Sequence, residues 1–129
     1  MIAYRPPKDR VELLDRYAQG ERYFADIDLP DRTDLSHVDL SNAIFDGAML
    51  SDIDFQFANL TGVSFRNASV KCSDFRHANL CGVSFEGAGV EAILLAEANL
   101  TDIKIGEASY YGYTLHQRDL NTWLESLAR

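Results

Sequence analysis

A chain of 129 residues, 47% hydrophobic and 25% charged, is the size of one domain with ample material for a core. Its net charge of −8 argues against binding nucleic acid or an anionic membrane, since like charges repel. No run of eighteen apolar residues suits a membrane span, and the start MIAYRPPKDR lacks the apolar stretch of a signal peptide.

Residues 7–19 read as an amphipathic helix. Pro7 suits a first turn, Asp9 and Glu12 suit the positive end of the helix dipole, and Val11, Leu14, Tyr17 and Ala18 fall at helical spacing. Gly20 can end the helix in the left-handed conformation. Phe24 and Leu29, with the smaller Ile27 between them, begin a different rhythm. The six-residue step from Leu29 to Leu35 is one too long, and Pro30 marks it as a bulge or wide corner.

From Leu35 to Leu115 every fifth residue is large and apolar, and the residue two before it belongs to a second, generally smaller column in which only Tyr113 is large. A period of five fits neither a helix at 3.6 nor a flat strand at 2, but it fits a chain that turns a corner every five residues. A longer period lies over it: DFQFANLTGVSFRNA from Asp54 is echoed by DFRHANLCGVSFEGA from Asp74, twenty residues on. Coils of twenty residues would stack Leu40, Leu60, Leu80 and Leu100 in one core ladder and Phe45, Phe65, Phe85 and Ile105 in another. Gly47, Gly62, Gly82 and Gly87 recur at the same period, as corners require.

In these residues the sequence resembles the pentapeptide-repeat proteins. Their consensus is a small residue, Asp or Asn, Leu or Phe, a small polar residue and a free fifth position. Ala58-Asn59-Leu60-Thr61-Gly62 and Ala78-Asn79-Leu80-Cys81-Gly82 match it closely. The resemblance covers about two-thirds of the chain. It implies an all-β solenoid, a right-handed quadrilateral β-helix of about four coils. The stretch ELLDRYAQGERYF looks like the capping segment of some bacterial members. The expected organisation is therefore one domain, 1–129: an N-terminal capping helix at 7–19, the β-helix at 22–115, and a C-terminal helix.

That last helix is expected at 119–128, because Leu120, Trp123, Leu124 and Leu127 follow helical spacing and Asp119 suits an N-cap. Ten residues are too few for a helix to stand alone, so it should dock on the last coil, a second subunit, or both. Some relatives dimerise through their C-terminal ends, so the resemblance implies a weak homodimer through these four residues.

Chemistry must come from the outward positions. His37, Phe57, His77 and Glu97 form one column and Asp34, Asp54 and Asp74 another. Phe57 sets the two histidines two coils apart, roughly 10 Å, too far to share a metal ion. No nucleophile–base motif, Gly-rich phosphate loop or paired-cysteine metal spacing appears, so no enzyme activity, cofactor or metal is expected. Cys72 and Cys81, nine residues apart, fall on different sides and should stay free, which suits a reducing cytoplasm.

The favoured function is a structural or protein-interaction module. Some pentapeptide-repeat proteins imitate B-DNA and block DNA gyrase, conferring fluoroquinolone resistance. The resemblance therefore implies an alternative, a DNA mimic, with Asp34, Asp54, Asp74 and Glu97 as its interaction residues. Residues 31–115 hold twelve acidic and five basic residues. Asp46, Arg66 and Glu86 alternate in sign, however, and Lys71 lies one coil from Glu91, as local charge pairs rather than an anionic stripe would.

Overall fold

A computed structural model of the protein describes residues 3–128. Helix α1 runs over Arg10–Ala18, shorter than the expected 7–19 because Asp9 is its N-cap and accepts the Glu12 amide. Its far end closes as a Schellman turn: Gly20 has φ 101°, its N–H donates to Tyr17 O, and Glu21 N–H donates to Arg16 O. Leu13 is fully buried against the first coil. The Tyr17 hydroxyl and Arg10 Nε donate to the carbonyls of Ser41 and Asp34, so the helix is tied to the coil backbone.

From Asp34 on the backbone pairs with itself in parallel at a fixed offset of twenty residues. Asp34, Asp54, Asp74 and Leu94 are bridged in series, as are Asp39, Asn59, Asn79 and Asn99. Two further series run Ile44, Ser64, Ser84, Lys104 and Met49, Ser69, Gly89, Ser109. Each twenty-residue turn thus has four sides. The bonds repeat closely: Phe55 N–H donates to Asp74 O at 2.8 Å, and Asp74 N–H returns to Ile53 O at 2.9 Å.

The sides are single bridges rather than continuous strands, which qualifies the all-β expectation. Two of every five residues are spent on a corner, leaving too few for a longer ladder. Corners are four-residue turns such as the one closed by Ala58 N–H to Phe55 O. Their third residue has positive φ throughout, from His37 (61°) to Asp102 (57°). Gly62 takes this position at φ 71° without strain, and an added Cβ there would run into Asn42 Oδ1 one coil below. Ala92 occupies the same conformation at φ 58° on an exposed corner.

Inside, the two phenylalanine columns interlock. Phe45, Phe65 and Phe85 stack at 5.7 and 5.5 Å between centroids, and Phe55 stacks on Phe75 at 5.0 Å. Phe65 also meets Phe55 and Phe75 edge-on. The small inward position is usually Ala or Val; at Ser73 the buried hydroxyl donates to Leu50 O and accepts from Ile53 N. It thereby replaces the turn bond of that corner, leaving no buried polar atom unsatisfied there.

The first turn is wider. Tyr23 bridges Ile44 and Asp28 bridges Met49, both twenty-one residues on, whereas Asp34 pairs with Asp54. The extra residue lies in the Pro30 corner, where Thr33 donates both its N–H and its hydroxyl to Pro30 O.

The array ends earlier than the five-residue pattern, which runs on to Leu115. Strand β1 (Ala108–Tyr110) turns back on β2 (Tyr113–Leu115) as an antiparallel hairpin, with Ala108 opposite Leu115. A 3₁₀ turn over Gln117–Asp119 leads into helix α2, Leu120–Leu127. Asp119 does not cap α2 with its side chain, contrary to expectation; its carboxylate instead accepts the His116 amide. Gln117 supplies the bonds that a further coil would have made. Its Oε1 accepts the amides of Ile105 and Gly106, and its Nε2 donates to Ile103 O. Trp123 is 3% exposed and meets Tyr110 edge-on.

Phe65→Ala should cost about 3–5 kcal/mol by chemical denaturation, the range for truncating a buried Phe. At the corners the signs should oppose. Gly62→Ala should destabilise by about 1–2 kcal/mol, whereas Ala92→Gly should be neutral or stabilising by up to about 1 kcal/mol.

Candidate interaction surface

The outward residues fall into columns because the corners hold them there. Asp34, Asp54 and Asp74 are bridge residues of one side. Each carboxylate turns along its own strand and accepts the amide two residues on, from Ser36, Gln56 and Arg76 respectively. This is the turn-closing bond that Asp and Asn side chains favour. Asn59, Asn79 and Asn99 do the same for Thr61, Cys81 and Thr101 on the next side. The acidic column is therefore first a set of corner fastenings.

Its charge is partly spent. Arg76 pairs with Asp74 at 2.7 Å, while Asp34 and Asp54 form no ion pair among the described residues. Elsewhere Arg66 meets Glu86 at 2.9 Å, Arg32 lies 3.8 Å from Asp52, and Lys71 lies 3.9 Å from Glu91. Glu91 also acts on the backbone, because its Oε1 accepts the Tyr111 amide and helps hold the hairpin.

On the corner beside this side, His37, Phe57 and His77 form one exposed stack of parallel rings. Their centroids are 4.9 and 4.5 Å apart and their planes within 4°. Phe57 fills the space between the imidazoles, and it is 51% exposed. Glu97, also exposed, continues the column one coil on. The sequence shows this column but not its stacking; the signal was the aromatic recurrence at twenty residues.

Of the core ladder, Leu40, Leu60, Leu80, Phe45, Phe65, Phe85 and Ile105 are fully buried. Leu100 is only half-buried, a correction with a plain cause: no coil follows on its side. Leu120, Leu124 and Leu127 pack half-buried beside Trp123 against the last coil. Between α2 and that coil lies an apolar groove of about 460 Å³ lined by Ile93, Leu94, Leu95, Leu100, Leu124 and Leu127.

At the other end, Arg16 joins Glu21, Glu12 and the Arg5 carbonyl, fastening the N-terminal arm to α1. Sequence reasoning missed this knot, whose members are scattered over seventeen positions of α1 and the chain on either side of it. Tyr4, whose phenol donates to Ala25 O, is pushed up to about 12 by burial. Cys72 and Cys81 are free thiols. No helix among the described residues is long and apolar enough to cross a membrane.

A corner-forming coil of parallel bridges at a twenty-residue offset defines a class of repeat protein. The pentapeptide-repeat family model matches residues 31–62 and 50–87 in eight copies, so this part of the chain is an array of pentapeptide repeats. No curated protein matches it in sequence. Among solved structures it is similar to HetL, a pentapeptide-repeat protein involved in heterocyst differentiation regulation in the cyanobacterium Nostoc sp. strain PCC 7120. Their TM-score is 0.67 at 24% identity, over 72% of this chain. The chain spans only 43% of the length of HetL, and the likeness extends to the fold alone. Two weaker likenesses are to alr5209 of Nostoc (TM-score 0.35, 21% identity, 82% of this chain and 84% of that one) and to QnrB1, a plasmid-mediated fluoroquinolone resistance protein (0.37, 21%, 69% and 59%).

Hydrogen bonds tune the corner carboxylates. The hydroxyl and amide of Ser36 hold Asp34 below its ordinary 3.8, and the amide and hydroxyl of Ser41 do so for Asp39. Burial pushes Asp74 up, but the bonds and charge of Arg76 outweigh it and its net shift is downward. Groups depressed in the folded state stabilise it above their unfolded values, and that contribution is lost as the pH falls through the lower folded values. The melting temperature should therefore fall below about pH 4. Asp34→Asn/Asp39→Asn/Asp74→Asn should flatten that limb while leaving the corners fastened, because Asn makes the same bond at positions 59, 79 and 99.

Proposed function

We propose that the protein is a non-catalytic scaffold that displays side chains at fixed spacing to a protein partner. In this reading it is a right-handed quadrilateral β-helix with a helical cap at each end. It acts in the cytoplasm, where Cys72 and Cys81 stay reduced. The observation that carries it is the side bearing Asp34 and Asp54 beside the stacked His37, Phe57 and His77. There, unpaired carboxylates bonded to their own corner amides stand beside exposed rings stacked on one another, on a backbone bridged coil to coil. A weak homodimer through the C-terminal end, using Leu120, Trp123, Leu124 and Leu127, belongs to the same reading.

A second reading, an acidic DNA mimic acting on gyrase, draws on the unpaired carboxylates of Asp34 and Asp54 and on exposed Glu97. The ion pairs at Asp74, Glu86, Asp52 and Glu91 weigh against it by breaking up any anionic stripe. So does length: about four coils at ~4.8 Å reach roughly 20 Å.

Two measurements test the choice. Titrated into a gyrase supercoiling assay with and without a fluoroquinolone, the protein should neither inhibit nor protect at micromolar concentration. Inhibition that vanishes in Asp34→Asn/Asp54→Asn/Asp74→Asn would replace the scaffold reading with mimicry. Affinity capture from the native cell extract should retain a partner on the wild type that the same variant loses. Equal retention on both would remove this side from the account.

A further inference from the structure

The last coil is closed on some sides and open on others. On the side of Ile105, Gln117 replaces the missing coil, and on the side of Val90 the carbonyl of Ser109 in β1 accepts its amide. On the remaining two sides nothing does. In earlier coils the amides of Phe55 and Phe75 donate to Asp74 O and Leu94 O, and those of Leu60 and Leu80 donate to Asn79 O and Asn99 O. The equivalent amides of Leu95 and Leu100 have no partner among the described residues, nor do the carbonyls of Ile93 and Ala98. The apolar groove beneath α2 runs along this same edge. Side-chain exposure follows suit. Leu35, Phe55 and Phe75 are fully buried, but Leu95 is 9% exposed; Leu94, at the bridge position held by aspartate in the other coils, is 46% exposed.

We infer that this edge is a docking site for one extended peptide segment of a partner protein, which adds a parallel half-coil beneath α2. The protein's own coils state the rule for the occupant. The first peptide bridge residue would donate its N–H to Ile93 O and accept from Leu95 N–H; the second, five residues on, would pair in the same way with Ala98 O and Leu100 N–H. Side chains flanking each bridge residue would enter the groove, so the segment reads apolar, polar, apolar on each side. Charge fixes its remaining character. Exposed Glu97 and Asp102 lie on this coil, and Arg76 at the groove rim is already paired with Asp74, so the polar positions should be basic. The site lies at the end of the coil, away from Asp34 and Asp54, so it can fail without affecting the proposed scaffold side, and the reverse.

The probe is a synthetic peptide with the sequence of residues 51–60 carrying Asp52→Lys, Asp54→Lys and Asn59→Lys, titrated into the full-length protein. Binding should be read by NMR, with the amides of Leu95 and Leu100 exchanging freely in the unbound protein and becoming protected in the complex. N-methylation of the probe at its residues 54 and 59 keeps the side chains and removes both bridge donors. It should weaken binding by about tenfold or more. On the protein side, Leu94→Arg alters an exposed bridge position and should weaken the unmodified peptide while leaving the melting temperature unchanged. Equal binding of the N-methylated peptide would overturn the inference, as would protection of the Leu95 and Leu100 amides before any peptide is added. Light scattering that shows a dimer which the peptide does not dissociate would assign the edge to a second copy and overturn it equally.

Discussion

Everything in this protein hangs on the parallel backbone bridge between residues twenty apart. It sets the four sides, because four sides of five residues return the chain above itself, and the first turn fits its twenty-first residue into the Pro30 corner. It also aligns like with like, so Phe65 meets Phe45 and Phe85 rather than a random neighbour. A single bridge per side is weak, and its strength comes from repetition: each coil is bonded both to the one before and to the one after. The five-residue period makes this tolerable, since three residues per side leave one inward residue at each end and one outward between.

The same register makes the outward surface orderly. Corner carboxylates and amides are committed to their own backbone, which explains Asp34, Asp54 and Asp74 without a ligand. What the corners leave over is the stacked His37, Phe57 and His77. Phe57 holds a left-handed conformation that Gly or Asn would take more readily. Contact with both imidazoles offsets that cost, and the result is a ridge of aromatic edges beside two unpaired carboxylates.

Legibility followed the repeat. The core ladders, the corners and the extra residue at Pro30 could all be read from the sequence, because each is a regularity or a break in one. The ends could not. Leu115 keeps the five-residue beat yet lies in a hairpin, since periodicity does not reveal that the chain has run out of coil to stack on. Leu100 looks like Leu40, Leu60 and Leu80 but lacks their covering coil. Asp119 has the right residue type and position for a cap, and the 3₁₀ turn ahead of α2 redirects it to His116. Gln117, which closes one side with an amide side chain, carries no sequence signal at all.

The direct test of the twenty-residue register is a pair of internal deletions compared by thermal unfolding. Removing residues 60–79 takes out one whole coil and joins Asn59 to Leu80, so every later residue keeps its side and its facing. That chain should unfold cooperatively, shorter along its axis by ~4.8 Å in solution scattering. Removing residues 60–77 takes out two residues fewer and moves Leu80, Phe85 and every later large core residue onto a corner, leaving only small residues such as Ala78 and Ala88 in the large inward slots, so that chain should fail to fold. Two deletions of equal stability, or a failure of the twenty-residue deletion alone, would contradict the account.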